Sequence, residues 1–99
     1  MISLTAIIRV RPGTQDLVRA ALLAVAEAVA ASEPETLGYF VMQSSDDPCV
    51  FTTYERFADR NAMEKHNSSA AVAKFVEQAA AHFDGPITLH AGEEISAKA

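Results

Sequence analysis

The chain opens with a strict alternation of apolar and mostly polar residues. A period of two over residues 2–11 is typical of a β-strand that buries one face. The residues predicted to point inward are Ile2, Leu4, Ala6, Ile8 and Val10. Pro12 and Gly13 follow directly and predict the end of this strand.

The next segment changes to a helical period. From Leu17 to Ala31 the apolar residues form one stripe with a spacing of four, three and four positions, a pattern typical of a helix that packs on a sheet. The stripe consists of Val18, Leu22, Val25 and Val29. Thr14 is predicted to cap the start of this helix, and Pro34 to prevent its continuation.

The second half predicts two strands, a broken helix and a final strand. Residues 39–44 and 49–57 read as a hairpin, and residues 58–66 as a short helix. Ser68 or Ser69 is expected to cap a second helical stretch. Its apolar stripe is Val72, Phe75, Val76, Ala79 and Phe83. After the turn at 84–86, residues 87–93 alternate again, and residues 96–99 are predicted to form a loose tail.

The predicted order is strand, helix, strand, strand, helix, strand, with the second helix broken near Asn67. This is the split βαβ, or ferredoxin-like, arrangement of an α+β protein with an antiparallel sheet. At 99 residues we expect a single domain, 1–99. Its helices would cover one sheet face. Adjacent apolar pairs such as Phe40 and Val41 place apolar side chains on the other face too, which predicts a homodimer packed sheet to sheet.

Composition narrows the possible functions. The net charge is −5, and no two of the eight basic residues are neighbours, so the chain lacks the basic stripe of a nucleic-acid binder. The single cysteine, Cys49, allows neither an intrachain disulfide nor a thiolate metal cage. No apolar run approaches the ~20 residues that span a bilayer. No secretory signal is recognisable at the N-terminus. We therefore expect a cytoplasmic protein without nucleic-acid or membrane partners.

Two side chains are the main candidates for chemistry. His66 shares a helix face with Ala62 and Met63, where an imidazole could exchange a proton or could simply be satisfied by backbone groups. Glu55 shares its strand face with aromatic residues, which makes it a candidate base. The alternatives for Glu55 are a salt bridge, for instance with Arg9 on a neighbouring strand, and a hydrogen bond to backbone across the dimer.

Other residues could support a site around these two. Tyr39 and Tyr54 could donate hydrogen bonds to a bound ligand, or could pack with their hydroxyls at the rim. A further group could form the core or line an apolar pocket: Phe40, Met42, Met63, Phe75 and Phe83. The three histidines lack metal-ligand spacing, and no glycine-rich loop follows a strand, so neither a metal nor a nucleotide cofactor is expected.

The order and spacing of these residues resemble the antibiotic biosynthesis monooxygenase (ABM) family, which includes quinol monooxygenases. The matching positions are Thr36, Gly38, Tyr39, Asp47, Pro48, Phe51, Tyr54, Glu55, Asp59, Ala62, His66 and Ser69. The resemblance implies a dimeric α/β barrel and a cofactor-independent monooxygenase. Such an enzyme would oxidise a small aromatic or quinol substrate with O₂ in an apolar pocket. His66 would serve as base or hydrogen-bond donor, oriented by Tyr39, Tyr54 or Glu55.

Some positions depart from the family pattern. Ala71 and Val72 stand where many members have a second histidine and an aromatic residue, and Phe57 replaces a common tryptophan. Haem-degrading relatives depend on an asparagine, a tryptophan and a haem-ligating histidine. The corresponding positions in this chain are Ala6, His66 and Val76, so haem degradation is disfavoured. Two alternatives stay open: an isomerase or degradation enzyme for a small signalling metabolite, and a non-enzymatic dimeric ligand-binding module.

Overall fold

A computed structural model describes residues 1–98, arranged as four strands and three helices. The strands are β1 (Ile2–Arg9), β2 (Thr36–Gln43), β3 (Val50–Phe57) and β4 (Thr88–Glu93), and they pair antiparallel in the order β2-β3-β1-β4. The helices are α1 (Gln15–Ser32), α2 (Arg60–Asn67) and α3 (Ala70–Ala79), followed by a 3₁₀ turn at Ala80–His82. The predicted ferredoxin-like α+β class is confirmed. The sheet of one chain is open, so a closed barrel would need a second copy. Residue 99 of the predicted tail lies outside the described residues.

The hydrophobic core lies between the sheet and the helices. The predicted α1 stripe is buried, and it packs with Ile8, Val10 and Phe51 of the sheet. A second cluster under α2 contains Phe57 and Met63. The alternation predicted for β1 is confirmed, since Leu4, Ala6, Ile8 and Val10 are all buried. The local periods of two and 3.6 therefore determine which face each element presents to the core.

Several element boundaries differ from the predictions because of local hydrogen bonds. Thr14 occupies the N-cap position of α1 as predicted, but its hydroxyl donates to the carbonyl of Arg11 (2.7 Å) and makes no capping hydrogen bond. Strand β2 begins at Thr36, earlier than predicted, with an irregular register between Thr36 and Gly38. Helix α2 begins after Asp59, whose carboxylate accepts from the amide of Ala62 (2.8 Å). The predicted cap at Ser69 is confirmed by its bond with the amide of Val72.

The sheet face opposite the helices is uncovered in the single chain. Apolar side chains on it are substantially exposed, with Phe40 at 59% and Met42 at 60%. The side chains of Phe40 and Tyr54 stack across neighbouring strands, with ring centroids 6.2 Å apart. At one end, Arg56 and Ser3 donate to Glu94 and lower the pKa of that carboxyl to about 2. Among residues 1–98, no helix combines the length and apolar character needed to cross a membrane.

Candidate active site

A cavity of about 330 Å³ lies between the sheet and the helices; we call it the inner cavity. Its apolar wall includes Leu4, Ala6, Leu22, Val25, Phe75 and Leu89. Its polar wall consists of Tyr39, Thr53, Glu55, His66 and Asn67. Exposed side chains at the rim, such as Leu89 and Val76, show that the cavity communicates with solvent. A largely apolar cavity with a few convergent polar groups is the usual form of a small-molecule site.

The alternation of β3 places Glu55 on the cavity side of the sheet. Phe51, Thr53, Glu55 and Phe57 occupy every second position and are all buried. The hydroxyl of Thr53 donates to Oε2 of Glu55 over 2.7 Å, which fixes the carboxylate in place. Tyr39 on β2 lies directly opposite Glu55 in the strand register, so the two side chains share this wall.

Helix α2 brings His66 to the same wall. The Asp59 cap sets the start of the helix, and the buried stripe of Ala62, Met63 and His66 then faces the sheet. The imidazole is 4% exposed, and its centroid lies 5.4 Å from the rings of both Tyr39 and Phe57. The predicted meeting of His66, Glu55 and Tyr39 at one site is thus present in the structure.

Two carboxylates contact opposite nitrogens of the His66 ring. Nδ1 lies 2.8 Å from Oε1 of Glu33, and Nε2 lies 3.2 Å from Oε1 of Glu55. A neutral imidazole has only one N–H, whereas the imidazolium can donate at both nitrogens. Burial by itself lowers the pKa of His66, but the carboxylates of Glu55 and Glu33 outweigh it, and the net pKa is raised above 6.5. The arrangement therefore favours an imidazolium between two carboxylates.

Tyr39 keeps its proton in this environment. Its pKa is raised by burial first, and further by the negative charges of Glu55 and Glu33. A phenol that is not ionised at neutral pH remains a hydrogen-bond donor. Tyr39 can therefore stabilise an anion bound in the inner cavity, but it is a poor proton acceptor there.

One oxygen of Glu55 lacks a hydrogen-bond donor. Oε1 is buried and has no aligned partner within residues 1–98, because the contact with Nε2 has ion-pair distance without hydrogen-bond geometry. A buried acceptor left without a donor typically costs about 1–3 kcal/mol. The alternative of a salt bridge for Glu55 is present, but its partner is His66 and not Arg9, which contacts Asp47 at 3.6 Å. A ligand hydroxyl that reached Oε1 from the inner cavity would supply an aligned donor.

The remaining predicted site residues are divided between the two sides of the sheet. Phe75 lines the inner cavity, Met63 is buried in the cluster under α2, and Phe83 packs on Phe75 with centroids 6.0 Å apart. Phe40, Met42 and Tyr54 lie on the opposite face and do not reach the cavity. The physical reason is the pleat: each neighbours an inward residue in sequence, and strand neighbours point to opposite faces.

Sequence reasoning missed three polar residues that line the inner cavity or contact His66, namely Thr53, Asn67 and Glu33. Thr53 could have been found, since it shares the inward register of Glu55 on β3. Glu33 had no such signal, because it follows α1 and is 33 residues away from the ring that it contacts. The two carboxylates approach opposite ring nitrogens, so their oxygens do not converge on one point as metal ligands do. No group of three His, Cys, Asp or Glu in the described part of the chain is placed to hold a metal ion.

The raised pKa of His66 predicts a pH-dependent stability. The folded protein should bind one more proton than the unfolded chain between pH 6.5 and the raised folded-state pKa. This stabilisation is fully present below pH 6.5 and is lost as the pH rises through the folded-state pKa, with a slope of at most about 1.36 kcal/mol per pH unit.

Urea unfolding from pH 5.5 to 9 should show the decline in the free energy of unfolding. Because other groups also titrate, the quantity to compare is the difference from His66→Gln. A difference that stays constant over this range would contradict the assignment.

Known proteins are similar to this chain both in family pattern and in fold. The model of the family described as "Antibiotic biosynthesis monooxygenase" matches residues 1–78. No curated protein matches the chain significantly in sequence. A proposed antibiotic biosynthesis monooxygenase from Nitrosomonas europaea superposes with a TM-score of 0.91 at 20% identity, covering 97% of this chain and 100% of the other. A Mycobacterium tuberculosis protein gives 0.89 at 19% identity, with coverages of 99% and 98%. At these identities the structural likeness shows the fold.

Proposed function

The chain belongs to the antibiotic biosynthesis monooxygenase family, and on that premise we propose that it oxidises a small aromatic or quinol substrate with O₂, without a bound cofactor. The observation that carries the proposal is the buried Glu55 carboxylate at the wall of an apolar cavity, whose Oε1 lies at ion-pair distance from His66 and has no aligned hydrogen-bond donor. A substrate hydroxyl that donates to this oxygen would be placed for proton abstraction. The cavity of about 330 Å³ is at the small end of the range for ligand sites and suits a compact ring system.

Glu55 acts as the base in this proposal. A candidate base must lie within hydrogen-bond reach of the proton that it removes. A substrate hydroxyl that donates to Oε1 from the inner cavity would meet that condition, while Thr53 holds Oε2. His66 is less suited to this role because its contacts favour the protonated ring. The imidazolium and the Tyr39 hydroxyl instead stabilise the negative charge that develops on the substrate oxygen.

Deprotonation makes the substrate a reductant. The resulting electron-rich anion can transfer an electron to O₂, and the two radicals can then combine at a ring carbon. Oxidation of a ring CH₂ to C=O places one oxygen atom in the product and releases the other as water. The substrate supplies all four electrons, so the reaction consumes no external reductant and no net proton. The largely apolar wall of the inner cavity limits the loss of reactive intermediates to solvent.

Two copies of the chain pack sheet to sheet in this proposal. Three strands have eight residues and β4 has six; at about 3.3 Å per residue and about 4.8 Å between strands, the uncovered face measures about 480 Å². A pair would thus bury about 1,000 Å² of flat sheet surface, and the protruding side chains add to this area. The sum is close to the ~1,200 Å² lower bound of stable interfaces. The exposed Phe40 and Met42 lie on this face.

The activity should survive removal of metals. Purified protein is expected to be colourless and, after exhaustive chelation, to consume O₂ with a reduced quinol or an anthrone-like compound. Under ¹⁸O₂ the product should contain one labelled oxygen atom. Conversion without O₂ consumption would favour the isomerase alternative, and binding without turnover would favour a ligand-binding module. Activity lost on chelation and restored by a metal would contradict the cofactor-independent mechanism.

A further inference from the structure

The inner cavity has a polar end and an apolar end, which the strand order of the sheet keeps apart. Tyr39, Thr53 and Glu55 belong to β2 and β3, on one side of the sheet. Helix α2, which carries His66, contacts the same two strands. Leu89 belongs to β4 at the opposite edge, and β1 between them contributes only apolar side chains to the cavity. A ligand that fills the cavity therefore meets polar groups at one end only.

The strand register connects the two ends in one row. Thr53 on β3, Ala6 on β1 and Leu89 on β4 are directly paired, so their side chains lie on the same face of the sheet. All three line the inner cavity, and the single methyl group of Ala6 leaves space above the middle of the row. Neighbouring strands are about 4.8 Å apart, so the ends of the row are separated by about 10 Å. A single phenol ring covers only part of that length, and a ligand that uses the whole row needs a further apolar group.

The apolar end of the cavity is open to solvent. Leu89 is 61% exposed, and Val76 on α3 is 48% exposed, whereas Glu55 at the polar end is buried. One exposed leucine is ordinary on a protein surface. These two side chains, however, line the same cavity from different elements, the sheet and a helix. The proposed dimer does not cover them, because Leu89 lies on the helix side of the sheet with Ala6. We call Leu89 and Val76 the apolar rim.

We propose that the apolar rim determines substrate specificity, by selecting a phenolic or quinol substrate that carries an apolar extension remote from its hydroxyl. A fused ring or an alkyl chain would serve as the extension. This inference rests on the proposed function, which places the substrate hydroxyl at Oε1 of Glu55. With the hydroxyl there, the ring lies above Ala6 and the extension lies between Leu89 and Val76. The extension and the two rim side chains are then removed from water together, so a longer extension binds more tightly.

A series of 3-alkylphenols tests this assignment. Phenol, 3-ethylphenol, 3-propylphenol and 3-butylphenol share the hydroxyl and differ in apolar length, and the ring position opposite the hydroxyl stays free. Their dissociation constants are measured by NMR titration without O₂. Along the alkyl series, each added CH₂ should lower the dissociation constant of the wild type by about two- to fourfold, the upper value corresponding to a fully buried group.

Leu89→Ser combined with Val76→Ser is the decisive variant. It should lose the gain in affinity with chain length, while its affinity for phenol, which does not reach the apolar rim, stays within about twofold of the wild type. Both side chains are half exposed or more, so the variant should fold, which urea unfolding checks. If it does not fold, Leu89→Ser alone carries the test and should lose part of the gain. Leu37→Ser is the matched control, since Leu37 is 53% exposed on the other edge strand and does not line the inner cavity. It should bind the whole series like the wild type.

Three results would overturn the inference. A wild type that binds all four phenols equally would leave the apolar rim without a role in binding. A folded double variant that keeps the gain per CH₂ would show that the extension points elsewhere, for instance toward the exposed Asn67 at the polar end. If light scattering showed a changed oligomeric state in that variant while the gain persisted, the occupant of the rim would be a second copy of the chain.

The binding measurement is independent of turnover, which separates this inference from the proposed function. A gain with chain length that the double variant loses supports the role of the apolar rim even if no quinol consumes O₂, in which case only the oxidation is refuted. Conversely, O₂ consumption by a protein that shows no gain with chain length would leave the oxidation standing and refute the role of the rim.

Discussion

Glu55→Gln is expected to lower turnover by about 10²-fold or more, the usual scale for loss of a general base. The amide has nearly the shape of the carboxylate and can still accept from Thr53, so the fold should be kept. It cannot accept a proton from the substrate. The rate should be measured as O₂ consumption at saturating substrate, with urea unfolding of the same preparations to show that the variant is folded.

Glu64→Gln is the matched control for this substitution. Glu64 is an exposed glutamate on α2 and does not line the inner cavity, so its amide variant should retain full turnover. His66→Ala would be less informative, because it leaves Glu33 and Glu55 without the ring between them. Removing one partner from a buried ion pair typically costs about 3–5 kcal/mol, so lost activity would be confounded with lost stability. Glu55→Gln with undiminished turnover would show that the base is another group.

The parts of the site predicted from the sequence are those determined by local period. The alternation of β3 correctly places Glu55 on the helix side, and the apolar α2 stripe correctly places His66 facing the sheet. Both follow from repeats of two and 3.6 residues, which can be read without knowing the fold. The register of β2 and β3 brings Tyr39 opposite Glu55, a pairing that the predicted hairpin did not specify.

The predictions that failed concern which face of the sheet a side chain occupies and which residues distant in sequence it contacts. Tyr54 adjoins Glu55 in sequence, but the pleat turns it to the opposite side, where it stacks on Phe40. Strand β4 alternates as expected, yet it lies at the sheet edge and its residues are all exposed in the single chain. The contact of Glu33 with His66 depends on where the end of α1 lies beside α2, and no local pattern encodes that placement.

Met42→Lys is expected to convert the proposed dimer to a folded monomer. Met42 lies on the uncovered sheet face and is 60% exposed in the single chain, so a lysine there is well tolerated by one copy alone. In a sheet-to-sheet dimer, however, the ammonium would be buried without a partner, which costs several kcal/mol. A two-fold dimer contains the substitution twice, and each loss of 1.4 kcal/mol in binding free energy raises the dissociation constant about tenfold. We therefore expect it to rise by about 10²-fold or more.

Leu23→Lys provides the matched control on the helix side of the molecule. Leu23 is 48% exposed on α1, so it gains the same charge at comparable exposure but on a surface that the proposed dimer leaves free. Light scattering at micromolar concentration should find wild type and Leu23→Lys dimeric and Met42→Lys monomeric. Chemical unfolding should confirm that the monomer is folded, because its core between sheet and helices does not include Met42. A monomeric wild type would refute the sheet-to-sheet dimer, since the apolar face would then be stable in water. A Met42→Lys protein that remains dimeric would move the interface to another surface.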